Sequence, residues 1–199
     1  NIVSHFDGIV RSQSAHGVLA PEVVLQLGKP PASKVLGQWI VATQAEVIAV
    51  HGPGTYQDAQ HSVFMHIEAD VANTIDRLCS AAAGVDDKRE HNVVLKWDTA
   101  WRSAQQAASE SIQRELSGLD EICEPAIARL FAETFSVGMV SSSMPIRDVE
   151  WFSGGRENGI LFSNRGANGI DGVISTSVGI AQSLRTSVGV YLGDVAFLH

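Results

Sequence analysis

The sequence has little cysteine, little positive charge and no long apolar run. Its two cysteines, Cys79 and Cys123, form neither a CxxC motif nor a zinc-ligand spacing, which favours a reducing, cytoplasmic compartment. Fourteen Lys and Arg residues stand against 22 Asp and Glu residues, and the formal charge of −8 argues against a nucleic-acid-binding surface. No apolar run approaches the ~18–20 residues that span a bilayer, and no signal peptide is visible. We therefore expect a soluble protein that holds anionic ligands by a few local cations.

Motifs of several enzyme classes are also missing. There are seven histidines but no HExxH zinc motif, and no GxSxG nucleophile elbow. A nicotinamide-dependent oxidoreductase would need GxGxxG directly after a strand, and the segment LGKPPAS (27–33) does not supply it. These absences argue against a zinc site, a Ser-His-Asp hydrolase and a nicotinamide-binding fold.

What the sequence does contain is an alternation of strands and helices. The runs PEVVLQLG (21–28), AEVIAVHG (45–52) and HSVFMHIEAD (61–70) predict strands, the first one apolar enough to be covered on both faces. Ser33 and Asp70 are suited to cap the helices that follow. The 199 residues, 45% of them hydrophobic, therefore predict an α/β fold with doubly wound parallel sheets.

The second half continues the pattern after a charged linker, DDKRE (86–90). A long helix is expected to end near Gly118, and Pro125 fits the first turn of the next helix. Three loops then follow predicted strands: SSSMPIRD (141–148), SNRGANGIDG (163–172) and GDVAF (193–197). Because open parallel sheets bind ligands at the carboxyl ends of their strands, we expect these loops to share one edge.

Two residues in these loops are candidates for binding phosphate or a metal ion. Arg165 lies in a glycine-rich loop, whose backbone can approach a ligand closely. Its guanidinium suits a carboxylate or phosphate. The alternative is a tight turn whose arginine pairs with Asp171. Asp194 follows Gly193 at a strand end, where a carboxylate can hold Mg²⁺. Its alternative is a solvated turn aspartate.

Two further cations have both a binding and a structural interpretation. Arg147 could anchor a second carboxylate, or pair with Asp148 or Glu150. Lys34 lies at a helix start directly after a strand and its loop, and is otherwise a solvated surface lysine.

Taken together, the three loops resemble one family of enzymes. The segments SSSMPIRD, SNRGANGIDGVISTSVG and GDVAFLH, in this order, resemble the MenD family, the thiamine-diphosphate-dependent 2-succinyl-5-enolpyruvyl-6-hydroxy-3-cyclohexene-1-carboxylate synthases of menaquinone biosynthesis. VVLQLGKPPASKVLGQW (23–39) resembles the central domain of the same family. The resemblance implies three parts of the chain. They are the C-terminal part of a Rossmann-like central domain (1–84), a linker and connecting helix (85–118), and the first half of a diphosphate-binding domain (119–199).

The resemblance also implies roles for individual residues. Asp194 matches a ligand of Mg²⁺ or Mn²⁺, with Gly193 beside the diphosphate and Ile170 in apolar contact with the cofactor. The residues that match substrate-binding positions are Arg147, Arg165, Ser143 and Lys34. The family often has Gly-Asn-Ser where this chain has Ser141-Ser142-Ser143.

By resemblance, the parent enzyme is a transferase that decarboxylates 2-oxoglutarate and adds the succinyl carbanion equivalent to isochorismate. The family's cofactor-activating glutamate lies in a domain that this chain lacks, so no catalytic residue is assigned. The start at Asn1 and the end just after a strand predict a piece of a longer polypeptide, inactive alone, from a homo-oligomer. The alternatives are another thiamine-diphosphate enzyme, such as an acetohydroxyacid synthase relative, or a non-catalytic ligand-binding fragment.

Overall fold

The computed structural model describes residues 2–12, 15–31, 33–58, 60–83, 91–155, 159–164 and 169–199, without the side chains of 16 and 91–93. Contacts divide the chain into two compact units. The first unit is Phe6–Ala104, and the second comprises Asn1–His5 and Gln105–His199. The predicted linker DDKRE lies outside the described residues.

The first unit is built on a parallel sheet. Its strands are β1 (Val23–Leu27), β2 (Glu46–His51) and β3 (Val63–Glu68), in the order β1-β2-β3. Its helices are α1 (Phe6–Val10), α2 (Ala15–Val18), α3 (Lys34–Thr43), α4 (Val71–Ala82) and the first part of α5 (His91–Ser117). No helix in the described parts of the chain, the 27-residue α5 included, is long and apolar enough to cross a membrane.

Two predicted helix caps are present in this unit. The Ser33 side chain accepts a hydrogen bond from the Leu36 N–H at 3.0 Å and begins α3. The Asp70 carboxylate accepts one from the Asn73 N–H at 2.8 Å and begins α4. Both residues have extended backbone angles, as N-cap residues require, so both predictions are confirmed.

The tryptophans of this unit pack as a cluster. Trp39 on α3 is buried and meets Trp101 on α5 edge-to-face, with ring centroids 5.9 Å apart. Trp97 lies one turn earlier, 6.1 Å from Trp101, and donates its indole N–H to the Leu19 carbonyl at 3.2 Å. Edge-to-face geometry is the arrangement that the aromatic quadrupole favours. The three tryptophans thus pack α3 against α5.

Strand β1 differs from its prediction. Val23, Leu25 and Leu27 are 53%, 43% and 41% exposed, whereas the residues between them are half-buried. The expectation of cover on both faces is therefore wrong for the described chain. An unbroken apolar run does not reveal which side of an edge strand is covered.

The second unit repeats the parallel arrangement with shorter strands. Its strands are β4 (Val137–Val140), β5 (Ile160–Phe162) and β6 (Gly189–Tyr191), in the order β5-β4-β6. Its helices are the rest of α5, α6 (Glu124–Thr134), α7 (Met144–Phe152), α8 (Val173–Leu184) and α9 (Asp194–Leu198). The predicted α/β class with parallel sheets is confirmed in both units.

Two of these helices replace expected loops. The sequence predicts loops at SSSMPIRD and GDVAF, but α7 begins at Met144 and the five-residue α9 begins at Asp194. Pro145 lies in the first turn of α7, where its missing N–H removes no helical hydrogen bond. Pro145, which follows the three serines and Met144, therefore lies at a helix start here. The prediction of loops at these two segments is wrong.

Close packing holds β4 in place. Met139 and Val140 are buried, and Val140 packs in a cluster with Ala128, Phe131 and Val149. Position 138 has no room for a side chain, because a Cβ there would lie 2.7 Å from Leu161 Cδ2 and 2.8 Å from Phe131 Cζ.

We expect Gly138→Ala to lower the free energy of unfolding by about 1–3 kcal/mol, the usual cost of overpacking. Gly179→Ala in α8 is the matched control, because a Cβ there meets no described atom within 4 Å. That change should stabilise the chain by about 0.5–1 kcal/mol, since alanine suits a helix interior better than glycine. Urea denaturation measures both, and equal effects at the two positions would contradict the packing argument.

Candidate functional site

A cavity of about 620 Å³ lies in the second unit, where β4 and β6 end. The segment that follows β4 and the segment that follows β6 form much of its wall. Four residues with predicted roles line it: Ser143, Ile170, Gly193 and Asp194. Other lining residues include Glu124, Ser141, Ser142, Asp148 and Tyr191. We expected all three segments to share one edge. The described residues place the segments after β4 and β6 there, and Ile170, from the segment after β5, lines the same cavity.

A backbone hydrogen bond joins the two segments. The Ser141 N–H donates to the Tyr191 carbonyl at 2.9 Å, just beyond the paired residues of β4 and β6. It continues the parallel ladder into the loops. The residues that follow each strand consequently leave the sheet side by side.

The turn into α7 has two unusual features. Ser143 has φ of 76° and ψ of −129°, in a region that residues other than glycine rarely adopt, at a cost of about 1–3 kcal/mol. The neighbouring Ser142 Oγ is buried and has no hydrogen-bond partner among the described residues. A buried hydroxyl without a partner is costly unless a ligand or water satisfies it, so this turn is suited to meet a polar ligand.

The turn after β6 presents a carboxylate. Gly193 is extended, and Asp194 begins α9 with its side chain exposed at the cavity. A carboxylate is a ligand that Mg²⁺ and Mn²⁺ accept. The described residues contain no group of three His, Cys, Asp or Glu side chains arranged for a metal ion. Asp194 is thus suited to be one ligand of a cation that a bound anion also coordinates.

A contact that the sequence did not predict, between the buried Asp148 and the half-buried Tyr191, lies beside these turns. The Tyr191 hydroxyl is 3.5 Å from Asp148 Oδ2 and 3.3 Å from the Glu124 carbonyl oxygen. Burial, and then the charge of Glu124, raise the pKa of Asp148. Burial, and then the charge of Asp148, raise the pKa of Tyr191 to about 12. The available signal was a tyrosine within the apolar run VGVYLG (188–193), whereas Asp148 lies among other charged residues of α7.

Arg147 lies on α7 rather than in a loop. It follows Ser143 by about one helical turn, is exposed, and its Nη1 is 4.0 Å from Met144 Sδ. Its charge lowers the pKa of Asp148 against the effects of burial and Glu124. The structural alternative for Arg147, an interaction with Asp148, therefore has electrostatic support, and its binding role stays a prediction.

Of the other two predicted cations the structure describes only Lys34, and Lys34 does not line this cavity. Arg165 lies outside the described residues. Its suggested partner Asp171 has its Oδ1 3.2 Å from His199 Nδ1. Lys34 belongs to the first unit, where it is exposed at the start of α3. There it lines a separate cavity of about 300 Å³ with Gln26, Ser33 and Asp58.

Parallel α/β units with a polar cavity at the carboxyl ends of their strands define a class of ligand- and cofactor-binding domains. Within that class the comparisons point to one family. The chain is 31% identical to a 2-succinyl-5-enolpyruvyl-6-hydroxy-3-cyclohexene-1-carboxylate synthase of Trichodesmium erythraeum, over 100% of this chain and 34% of the relative. Synthases of the same name from Bacillus pumilus and Chloroflexus aurantiacus are each 32% identical, over 100% and 98% of this chain and 34% and 33% of the relatives.

The chain therefore spans about a third of the length of the curated relatives it matches. No protein-family model matches it. The predicted resemblance to the MenD family is confirmed along the full length of the chain.

The contact between Asp148 and Tyr191 leads to a prediction about tyrosine ionisation. The chain has two tyrosines, so a Tyr56→Phe background leaves the Tyr191 signal alone. In that background Asp148→Asn should lower the pKa of Tyr191 from about 12, because it removes the neighbouring charge. The value should remain above 10.0, because burial, the larger cause, persists. Absorbance of the phenolate against pH measures this.

The same shift predicts how stability depends on pH. A folded-state pKa of about 12 against 10.0 means that the folded chain holds its proton more tightly. The stabilisation from Tyr191 is complete below pH 10 and is lost as pH rises towards 12, and Asp148→Asn should reduce that loss. An unchanged titration in the variant would contradict the proximity of the two groups.

Proposed function

We propose that this chain is part of a thiamine-diphosphate-dependent transferase that decarboxylates 2-oxoglutarate and adds the succinyl carbanion equivalent to isochorismate. The observation that carries the proposal is the cavity that gathers Ser143, Ile170, Gly193 and Asp194. Its support is that the relatives named above are synthases of 2-succinyl-5-enolpyruvyl-6-hydroxy-3-cyclohexene-1-carboxylate and match the whole chain.

The residues of the cavity fit this cofactor. Asp194 would coordinate Mg²⁺ or Mn²⁺ that bridges to the diphosphate, and Gly193 would lie beside that diphosphate. Ile170 offers an apolar surface, and the Ser142 hydroxyl, which has no partner in the described part of the chain, offers a polar contact. Bound there, thiamine diphosphate would supply the carbanion-stabilising chemistry, which the side chains of this chain do not provide.

The protein's own part is to neutralise and orient the carboxylates of the substrates. Arg147, Arg165, Ser143 and Lys34 are the proposed contacts. In a chain with a net charge of −8, dicarboxylates need such local cations to overcome the overall repulsion.

The wider organisation follows the same proposal. Residues 1–84 would be the later part of a central domain, 85–118 a linker and connecting helix, and 119–199 the first half of a diphosphate-binding domain. We propose a cytoplasmic homo-oligomer whose remaining catalytic groups lie outside these 199 residues. The isolated chain should accordingly have no synthase activity.

The metal role of Asp194 can be tested in the complete enzyme that contains this chain. Asp194→Ala should weaken Mg²⁺-dependent binding of thiamine diphosphate by tenfold or more, about 1.4 kcal/mol, because the diphosphate would lose a bridging cation. Calorimetry with and without Mg²⁺ is the measurement. Asp120→Ala, at an exposed turn of the same unit, is the control and should bind normally. Unchanged affinity and Mg²⁺ dependence in Asp194→Ala would leave Asp194 as a solvated turn residue.

The arginines can be tested by steady-state kinetics in the same enzyme. Arg147→Ala and Arg165→Ala should each lower kcat/KM for the dicarboxylates by roughly tenfold to a hundredfold, since a charge-assisted bond contributes about 1.5–3 kcal/mol. Lysine at either position should restore only part of this, because it keeps the charge and loses the planar fork. Kinetics with 2-oxoglutarate and isochorismate varied separately would assign each arginine to a substrate.

Arg129→Ala is the matched control, because Arg129 already pairs with Glu133 on α6 at 3.0 Å. If the two alanine variants lost only thermal stability and kept wild-type kcat/KM, both arginines would be structural. Efficient condensation of two pyruvate molecules by the wild-type enzyme would instead favour an acetohydroxyacid synthase relative.

A further inference from the structure

Asp7 is a buried carboxylate in the first unit, far along the sequence from any residue with a proposed role. It lies on α1 and is 4% exposed. Its Oδ1 accepts a hydrogen bond from Arg11 Nε at 2.7 Å, and its Oδ2 accepts one from the Ser33 hydroxyl, 26 residues later. Both oxygens of this carboxylate therefore have charged or polar donors, as burial of a carboxylate requires.

The bond to Ser33 has a consequence for the helix that follows. Ser33 is itself buried and is the N-cap of α3, where its Oγ accepts from the Leu36 N–H at 3.0 Å. A serine hydroxyl has a single proton, and here that proton is donated to Asp7. With the proton so directed, the lone pairs of the oxygen are left for the Leu36 N–H. Asp7 thus fixes the orientation of the cap.

The cap lies directly before Lys34 in the chain. It is the first residue of α3, directly after Ser33, and both residues line the cavity of about 300 Å³. An ammonium on a flexible four-carbon stem can reach many positions. The position from which that stem starts is set by the backbone at the helix start.

We propose that Asp7 is a positioning residue that acts through Ser33 to fix the helix start from which Lys34 reaches the substrate carboxylate. The inference rests on the proposed function, since that function gives Lys34 its substrate. Arg11 already pairs with Asp7, so the carboxylate acts by orienting the hydroxyl rather than by drawing Lys34 towards a free charge.

The test is a double-mutant cycle in the complete enzyme, with 2-oxoglutarate and isochorismate as substrates. Asp7→Asn keeps the shape of the side chain but removes its charge and one of its two acceptors. In the wild-type background it should raise KM for one dicarboxylate about threefold to tenfold, the scale of a lost helix cap. In a Lys34→Ala background it should raise KM no further, whereas the melting temperature should fall equally in both backgrounds.

Two further variants keep the test informative if Asp7→Asn does not fold. Ser33→Ala removes the hydroxyl and should raise KM in the same way, whereas Ser33→Thr keeps the hydroxyl and should restore the wild-type value. Asp70→Ala is the matched control, because Asp70 caps α4 through the Asn73 N–H at 2.8 Å and alanine cannot accept that hydrogen bond. It should lower the melting temperature without changing KM.

Each contrary outcome has a definite meaning. An equal rise in KM with and without Lys34, or a loss of stability alone, would overturn the positioning role of Asp7. A wild-type KM in Lys34→Ala would overturn it as well, and the proposed function would stand as long as the wild-type enzyme forms the product. A wild-type enzyme that uses neither substrate would overturn both.

Discussion

The candidate site depends on the parallel pairing of β4 with β6. The ladder continues one step beyond the strands, where the Ser141 N–H meets the Tyr191 carbonyl at 2.9 Å. Two segments about fifty residues apart in sequence consequently leave the sheet together. One turn carries a hydroxyl with no partner among the described residues, the other carries an exposed carboxylate, and both face one cavity. Neither turn alone would indicate a binding site, and their combination supports the proposed diphosphate and metal contacts.

The pairing in turn requires close packing behind it. Phe131 approaches Gly138 so closely that a methyl group would not fit, and a Cβ at Gly189 would overlap the ring of Phe135. The two rings are themselves in contact, with centroids 5.4 Å apart. Glycines in these strands therefore admit one aromatic ring from α6 and one from the residue that follows it. Tyr191 at the end of β6 extends the same aromatic layer and carries its hydroxyl to the buried Asp148.

In the first unit, a contact between residues distant in sequence supports the start of a helix. Two of its helices, α3 and α4, begin at side-chain caps, and the cap of α3 is held by a buried carboxylate from α1. Asp7 belongs to no recognisable sequence motif. It lies 26 residues from Ser33, so the sequence does not indicate the hydrogen bond between them. The residue next to the cap, Lys34, could be recognised by resemblance to a family. Only the folded chain reveals what supports it.

The sequence by itself determined the α/β class, the strands, the caps at Ser33 and Asp70 and the family resemblance, because each follows from short-range pattern and residue chemistry. It did not determine that a helix begins within SSSMPIRD, because proline is common both in the first turn of a helix and in loops. The tertiary structure alone decided the exposed face of β1, the positive φ at Ser143 and the contact of Asp148 with Tyr191. These features depend on which distant segments pack together, and local sequence carries no record of that.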